Sequence, residues 1–468
     1  QGSSPQPLKP NDHDYLSGVL FSPSVLVSVC GRTMCHPLHR VLRRCTLRAP
    51  TNTISSYRQS LYASRFCSTP SEQDLHDEEA FLKHEIAEFA AKRPTPCSLQ
   101  EILDMRKPSQ LAKFIHKEVP VRYAERIREL ESLPGWEEDP DLKKLHDHHI
   151  QVFRGVRLLE KRRATGFESL SSLSMPEVLM TFDQVVQHAH RFGADMPWHA
   201  TQAMYRLREK IGEEFTTDAI DTWLDDFLLN WIGTEALLMQ YLACKKGKEN
   251  GIIDPHCDVA EVCRKCASSI QDMCEDIYGL RPQVIVESFS AVEADKRAPS
   301  FAYIPMFLQF VMQEIIKNSC RATLDTCPPD KLLKRPTTVA VCADEYQVAV
   351  RVSDRGRGIP FHVGDKIWSY TYSTGCKTKP THEEYVDDDE PTPLSGYGIG
   401  LPLTRLYCRY LGGWLRVVSW PGLGTDVHLS LPRLSLQQVE VVPDHDAEDA
   451  GRSLKSAKGQ YLDARRFK

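Results

Sequence analysis

Four short stretches in the second half of the chain carry residue types suited to a nucleoside triphosphate. The first is Glu314, Asn318 and Arg321, spaced i, i+4 and i+7 within the apolar helical stretch 305–324. That spacing puts all three on one helix face. A carboxylate, an amide oxygen and a guanidinium there match what a Mg²⁺–triphosphate reaction needs: a proton acceptor, a metal ligand and a cation for phosphate. A solvated helix face is the competing reading. The second is Asp354, followed by Gly356 and Gly358 at a strand end. A carboxylate there can accept a hydrogen bond from an exocyclic amine such as that of adenine, and the glycines allow close backbone approach to a ring. A plain strand-to-turn junction explains the same residues equally well. The third is Gly396, Tyr397, Gly398, Ile399, Gly400 and Leu401, with Pro402 leading into a helix over 403–411. Glycines free backbone N–H groups to wrap phosphates, and the helix N-terminus presents its positive dipole end to an anion. A dinucleotide fingerprint would need a parallel βαβ unit and a following acidic residue, and neither is evident. The fourth, Gly422 to Thr425, sits at the turn into the last strand; the Thr425 hydroxyl is a further candidate donor to the nucleotide, although taken singly the stretch is only a turn.

These stretches need rigid elements to hold them. Before residue 282 the apolar periodicity predicts helices over 72–93, 121–133, 140–163, 176–193, 197–213, 217–246 and 257–278, with few strand signals. Ser98 and Glu101 form a capping box, and Pro108 and Pro120 punctuate the chain after it. An all-α bundle is the simplest account of 72–280. From Pro282 strands mix with helices. Val348, Val350 and Val352 alternate on one face of the strand 347–353, which pairs with 338–343 through a hairpin loop at Asp344, Glu345 and Tyr346. Strands 414–420 and 425–431 repeat the pattern. The fold class is therefore α+β: an N-terminal helical bundle followed by an α/β sandwich over 281–434. Residues 435–468 read as a polar tail that frays.

Composition narrows the function classes. A net charge of −5 over 468 residues argues against a general nucleic-acid binder. No run of about 18 apolar residues is present, so no membrane span is expected. Fifteen cysteines spread along the chain suggest reduced thiols. Residues 1–71 read as a disordered N-terminus containing a mitochondrial transit peptide. No acidic residue lies between Asp14 and Glu72, while the stretch holds Arg32, Arg40, Arg43, Arg44, Arg48, Arg58 and Arg65 among many Ser and Thr. The mature chain is expected to start near Ser68, and the segment before Met34 to be an extension upstream of the leader.

In order and spacing, the four stretches resemble the ATPase superfamily (the Bergerat fold) shared by histidine kinases, type II topoisomerases, mismatch-repair ATPases and heat-shock chaperones. Finer features resemble the mitochondrial 2-oxoacid dehydrogenase kinases, the pyruvate and branched-chain enzymes. These are Lys317-Asn318 with Arg321-Ala322-Thr323, Asp354 to Pro360, Tyr370-Thr371-Tyr372-Ser373-Thr374, Arg405-Leu406-Tyr407, and in the bundle Glu118-Val119-Pro120-Val121-Arg122. The likeness spans about residues 95–432. It implies transfer of the ATP γ-phosphate to a serine on the dehydrogenase α subunit, which inactivates the complex. Glu314 would be the general base, Asn318 would hold Mg²⁺, and Asp354 would read adenine. Arg321, Ser373, Thr374 and the 396–401 loop would bind ATP, with 375–395 as a lid. Implied partners are that α subunit and the lipoyl domain of the acyltransferase core, and a homodimer stays open. The implied location is the mitochondrial matrix.

The chain also departs from that family. Phe310 stands where pyruvate dehydrogenase kinases carry a His one turn before the catalytic Glu. A second His motif is not recognisable around Arg191-Phe192-Gly193-Ala194, and a C-terminal Asp-Trp pair is absent. Two alternatives therefore stand beside the kinase: an ATP-binding regulatory pseudokinase of the same complex, favoured by Phe310, and a true histidine kinase. The last would need an acceptor, and His199 reads instead as a helix-surface residue. His256, Cys257, Cys263 and Cys266 read as ordinary residues and thiols, because no second pair stands at zinc-finger spacing.

Overall fold

The computed structural model describes residues 72–105, 107–165, 181–212, 215–291, 301–372, 399–433 and 439–443. Seven helices open it: α1 (Glu72–Ala90), α2 (Leu99–Asp104), α3 (Pro108–Glu131), α4 (Pro140–Thr165), α5 (Phe182–Gly193), α6 (Met196–Ile211) and α7 (Thr217–Lys245). Their starts are set by local chemistry. Ser98 and Glu101 close a reciprocal capping box on α2, and Thr181 with Gln184 does the same on α5. Helix α7 is buried nearly all round, from Ile220 through Phe227 and Ile232 to Tyr241, and so forms the centre of the bundle, packed by α3, α5 and α6. Pro120 does not break the chain as its position suggested; it lies inside the continuous helix α3. An internal proline costs roughly 3 kcal/mol. Burial of Leu111, Ile115, Val119, Tyr123 and Ile127 along the same helix offsets that cost.

The second part is a five-stranded sheet of order β2-β4-β5-β7-β6, made of β2 (Val284–Ser290), β4 (Thr337–Ala343), β5 (Gln347–Ser353), β6 (Trp414–Trp420) and β7 (Gly424–Pro432). Strand β2 runs parallel to β4, and every other pair is antiparallel. Val348, Val350 and Val352 are buried, as the alternation predicts, and Val339, Val341, Leu415, Leu429 and Leu431 are buried with them. Helices α8 (Val259–Tyr278), α9 (Pro305–Leu324) and α10 (Gly400–Tyr410) complete this part; α10 also packs on α7 of the bundle.

Three findings differ from the sequence reading. Helix α8, placed in the bundle by the boundary at 280, packs against α9, β2 and β4. Its amphipathic stripe fits a helical or a sheet partner equally well, so periodicity alone could not choose. Two short strands, β1 (Asp254–Cys257) and β3 (Phe301–Tyr303), pair antiparallel although neither alternates clearly. And the tail does not simply fray: Val439 bridges Ser98, and Glu440 is buried against Arg122, which also pairs with Glu118 at 3.3 Å. Burying a charged guanidinium is costly unless it is compensated, and the tail supplies a carboxylate to Arg122. Among the described residues no helix is long and apolar enough to cross a membrane.

Candidate active site

Helix α9 carries the first stretch. Its apolar residues Phe307, Val311, Ile315 and Ile316 are buried, which fixes its rotation. Glu314 is buried in consequence and pairs with the Lys317 ammonium, while Asn318 and Arg321 reach the surface and Arg321 lies 3.9 Å from Asp325. The shared face thus runs from a buried carboxylate outward to an exposed amide and guanidinium.

The N-terminus of α10 meets that carboxylate. Gly400 lies against the Glu314 carboxylate, and a Cβ there would displace that side chain from its present position. Among the described residues no side chain caps this end of α10, whose N-cap is Ile399, which leaves its first N–H groups and positive dipole end for an anion. Ile399 is buried just before the helix, and Leu401 packs half-buried against the core. Ser373, Thr374, Gly396, Tyr397 and Gly398, and the expected lid, lie outside the described residues.

Asp354 directly follows β5 and is buried. It accepts hydrogen bonds from the Gly356 N–H at 2.9 Å and the Thr425 N–H at 3.3 Å. Burial pushes its carboxyl above the usual range, against the pull of those two bonds and of the Ser319 hydroxyl. Ser319 adjoins Asn318 in α9, so Asp354 touches that helix one residue from the metal-ligand candidate. Gly358 has φ of 69° and turns its backbone against the Trp420 carbonyl, where a side chain would collide. The Ile359 N–H donates to Ser419 Oγ at 2.7 Å, and Ser419 also bonds the Thr425 hydroxyl at 2.8 Å. The loop after Asp354 is therefore fastened to the turn between β6 and β7.

Sequence reasoning passed over a polar cluster behind α10. Asp225 of α7 accepts from the Tyr370 hydroxyl at 2.8 Å and from Arg405 at 2.9 Å; Asp221, one turn earlier, accepts from the Tyr370 N–H at 3.0 Å. Asp221 and Asp225, at i and i+4 in the polar first half of a helix whose remainder is largely apolar, were the available signal. Phe310 lies against α10, its ring 4.8 Å from that of Tyr407, so its position is an apolar wall. Near the unrecognised second His motif, His190 pairs with Glu235. Burial opposes its charge, but the bond and attraction of Glu235 prevail and raise the imidazole above its ordinary value.

His199 is not a surface residue: it is buried, 2.5 Å from Asp141 and 2.9 Å from Lys144, because α6 turns this face toward α4. Cys257, Cys263 and Cys266 are buried thiols, and burial pushes Cys257 and Cys266 up to about 12.

A mixed sheet with α9 and α10 presenting Glu314, Asn318 and Gly400 at one end defines an ATP-binding domain of the histidine-kinase, gyrase and chaperone type. Residues 304–435 match the family model of the histidine kinase-, DNA gyrase B- and HSP90-like ATPases. Residues 96–269 match that of the mitochondrial branched-chain alpha-ketoacid dehydrogenase kinases. The mitochondrial pyruvate dehydrogenase (acetyl-transferring) kinase isozyme 3 of Homo sapiens is 30% identical over 77% of this chain and 88% of its own length. The mitochondrial pyruvate dehydrogenase kinase of Arabidopsis thaliana is 29% identical over 76% of this chain and 95% of its own. The chain belongs to the family of mitochondrial 2-oxoacid dehydrogenase kinases.

Proposed function

We propose that this chain is a mitochondrial-matrix protein kinase that transfers the γ-phosphate of ATP to a serine of the α subunit of a 2-oxoacid dehydrogenase, pyruvate or branched-chain, and so inactivates that complex. The observation that carries the reading is the Glu314 carboxylate lodged against Gly400 at the uncapped N-terminus of α10. That contact supports a proton acceptor working beside a phosphate cradle.

The chain's residues divide the work. Asp354, buried at the end of β5, accepts a hydrogen bond from the adenine amine. The first N–H groups of α10 and the Arg321 guanidinium meet the phosphates. Glu314 takes the proton from the incoming serine as its Oγ bonds to the γ-phosphorus and the bond to the β,γ-bridging oxygen breaks. Asn318 would hold Mg²⁺ through its amide oxygen, and the ion would neutralise phosphate charge. An exposed amide one turn from a buried carboxylate suits that hard cation. Positioning and charge neutralisation are the main demands of phosphoryl transfer.

The leader composition and the mitochondrial relatives support the location. Those relatives are named as kinases of pyruvate dehydrogenase, which supports a 2-oxoacid dehydrogenase complex as the partner; the contacts we propose within it are the dehydrogenase α subunit and the lipoyl domain of the acyltransferase core. The test offers purified chain (from Ser68) and γ-labelled ATP to each complex separately. Label on an α-subunit serine of one complex supports the reading and identifies the substrate. ATP binding with no label on either complex favours the regulatory pseudokinase, and label on a histidine of the chain itself favours the histidine kinase.

A further inference from the structure

We propose that Asp225 is a positioning residue of the nucleotide site, holding α10 in register with Glu314 from the core of the bundle. The inference rests on the ATP reading above and deepens it. Gly400 must stay against Glu314 for the cradle and the base to face the same phosphate. Yet α10 has only 11 residues and no side-chain cap, so little within it sets where its first turn lies. Arg405 stands five residues after Gly400 on that helix. Its guanidinium reaches both Asp225 oxygens, at 3.2 and 2.9 Å, and lies 5.5 Å over the Trp368 ring.

The same aspartate holds a second segment. Tyr370 is fully buried, and each of its polar groups bonds to the bundle: its hydroxyl to Asp225 at 2.8 Å, its N–H to Asp221 at 3.0 Å, and its carbonyl to the Tyr205 hydroxyl at 2.8 Å. Helix α7 is the most deeply buried helix of the bundle, which makes it a rigid mount. The Asp225 carboxylate is about as sheltered as an interface ion pair, 15% exposed against 31% for Arg405, so the pair is worth more than a surface one. One charged group on a fixed helix therefore sets two pieces of the nucleotide domain. A purely stabilising pair has no such geometry: Asp139 and Arg206, joined at 2.6 and 2.8 Å between residues of the bundle, touch no part of α10.

The experiment titrates full chain with ATP and Mg²⁺ and follows binding, alongside KM for ATP and kcat. Asp225→Asn, which keeps a hydrogen-bond acceptor but loses the charge, is expected to weaken ATP binding about tenfold, the equivalent of about 1.4 kcal/mol. KM is expected to follow. Asp225→Glu restores most of the affinity. Asp139→Asn lowers the melting temperature comparably and leaves ATP affinity unchanged. Wild type that binds ATP while Asp225→Asn binds it equally well overturns the positioning role alone. A loss of affinity in Asp139→Asn as large as in Asp225→Asn also overturns it, because general loosening would then explain both. Wild type that binds no ATP overturns the nucleotide reading itself, and this proposal with it.

Discussion

Asp354, proposed to read adenine, illustrates how a residue kept for function can work against stability. Its carboxyl is raised by burial, so in the free protein its charged form is held at a cost. Asp354→Asn removes that cost. The expected result is a melting temperature no lower than wild type, together with at least about tenfold weaker ATP binding, since the adenine amine loses its charged acceptor. A clear fall in melting temperature would contradict this. His148 and His149 behave differently. Burial pushes His148 down to about 2, and His149 well below its usual value. An unfolded chain titrates these imidazoles near about 6.5. The folded state then binds fewer protons, so their contribution is whole above that pH and is lost as pH falls below it, by up to about 1.4 kcal/mol per pH unit for each group. Thermal unfolding between pH 8 and pH 5 should show this loss, with a shallower slope in His148→Gln; equal slopes would exclude His148 as a source.

At the scale of elements, the packing of α9 on α10 decides whether the site exists. Phe310 and Phe307 both set their rings 4.8 Å from Tyr407, joining the two helices directly above Glu314. Phe310→Ala should cost roughly 3 kcal/mol in chemical denaturation, the usual penalty for a buried aromatic. A loss under about 1 kcal/mol would mean that α10 is held by other contacts. The helix period exposed Glu314, Asn318 and Arg321 directly, and the valine alternation of β5 gave its buried face. The pairing of β1 with β3 stayed hidden because strands of four and three residues are too short to show a period. Helix α8 was recognisable as a helix but not by its partner, since one apolar stripe serves a sheet as well as a bundle. Burial of His199 was likewise invisible, because it depends on Asp141 and Lys144 arriving from α4.

Across the whole molecule, the contacts least legible in the sequence are those between residues far apart in it. Glu440 meets Arg122 across 318 positions, and Asp225 meets Arg405 across 180. No local pattern marks either pair. Glu440 fastens the segment after the last strand onto α3, and the Val441 N–H donates to the Tyr410 carbonyl at the end of α10 at 2.9 Å. The tail thus ties helical and nucleotide parts together. Removing one partner of a buried ion pair typically costs about 3–5 kcal/mol. Glu440→Ala should lose about that much in urea denaturation, and an unchanged midpoint would show that the strap adds nothing. The central claim concerns Glu314, and its most direct measurement is single-turnover phosphoserine formation on the dehydrogenase at saturating ATP, wild type against Glu314→Gln. The account predicts a rate about 10²- to 10⁴-fold lower in the variant with ATP affinity nearly unchanged. A variant that phosphorylates serine at the wild-type rate would contradict it.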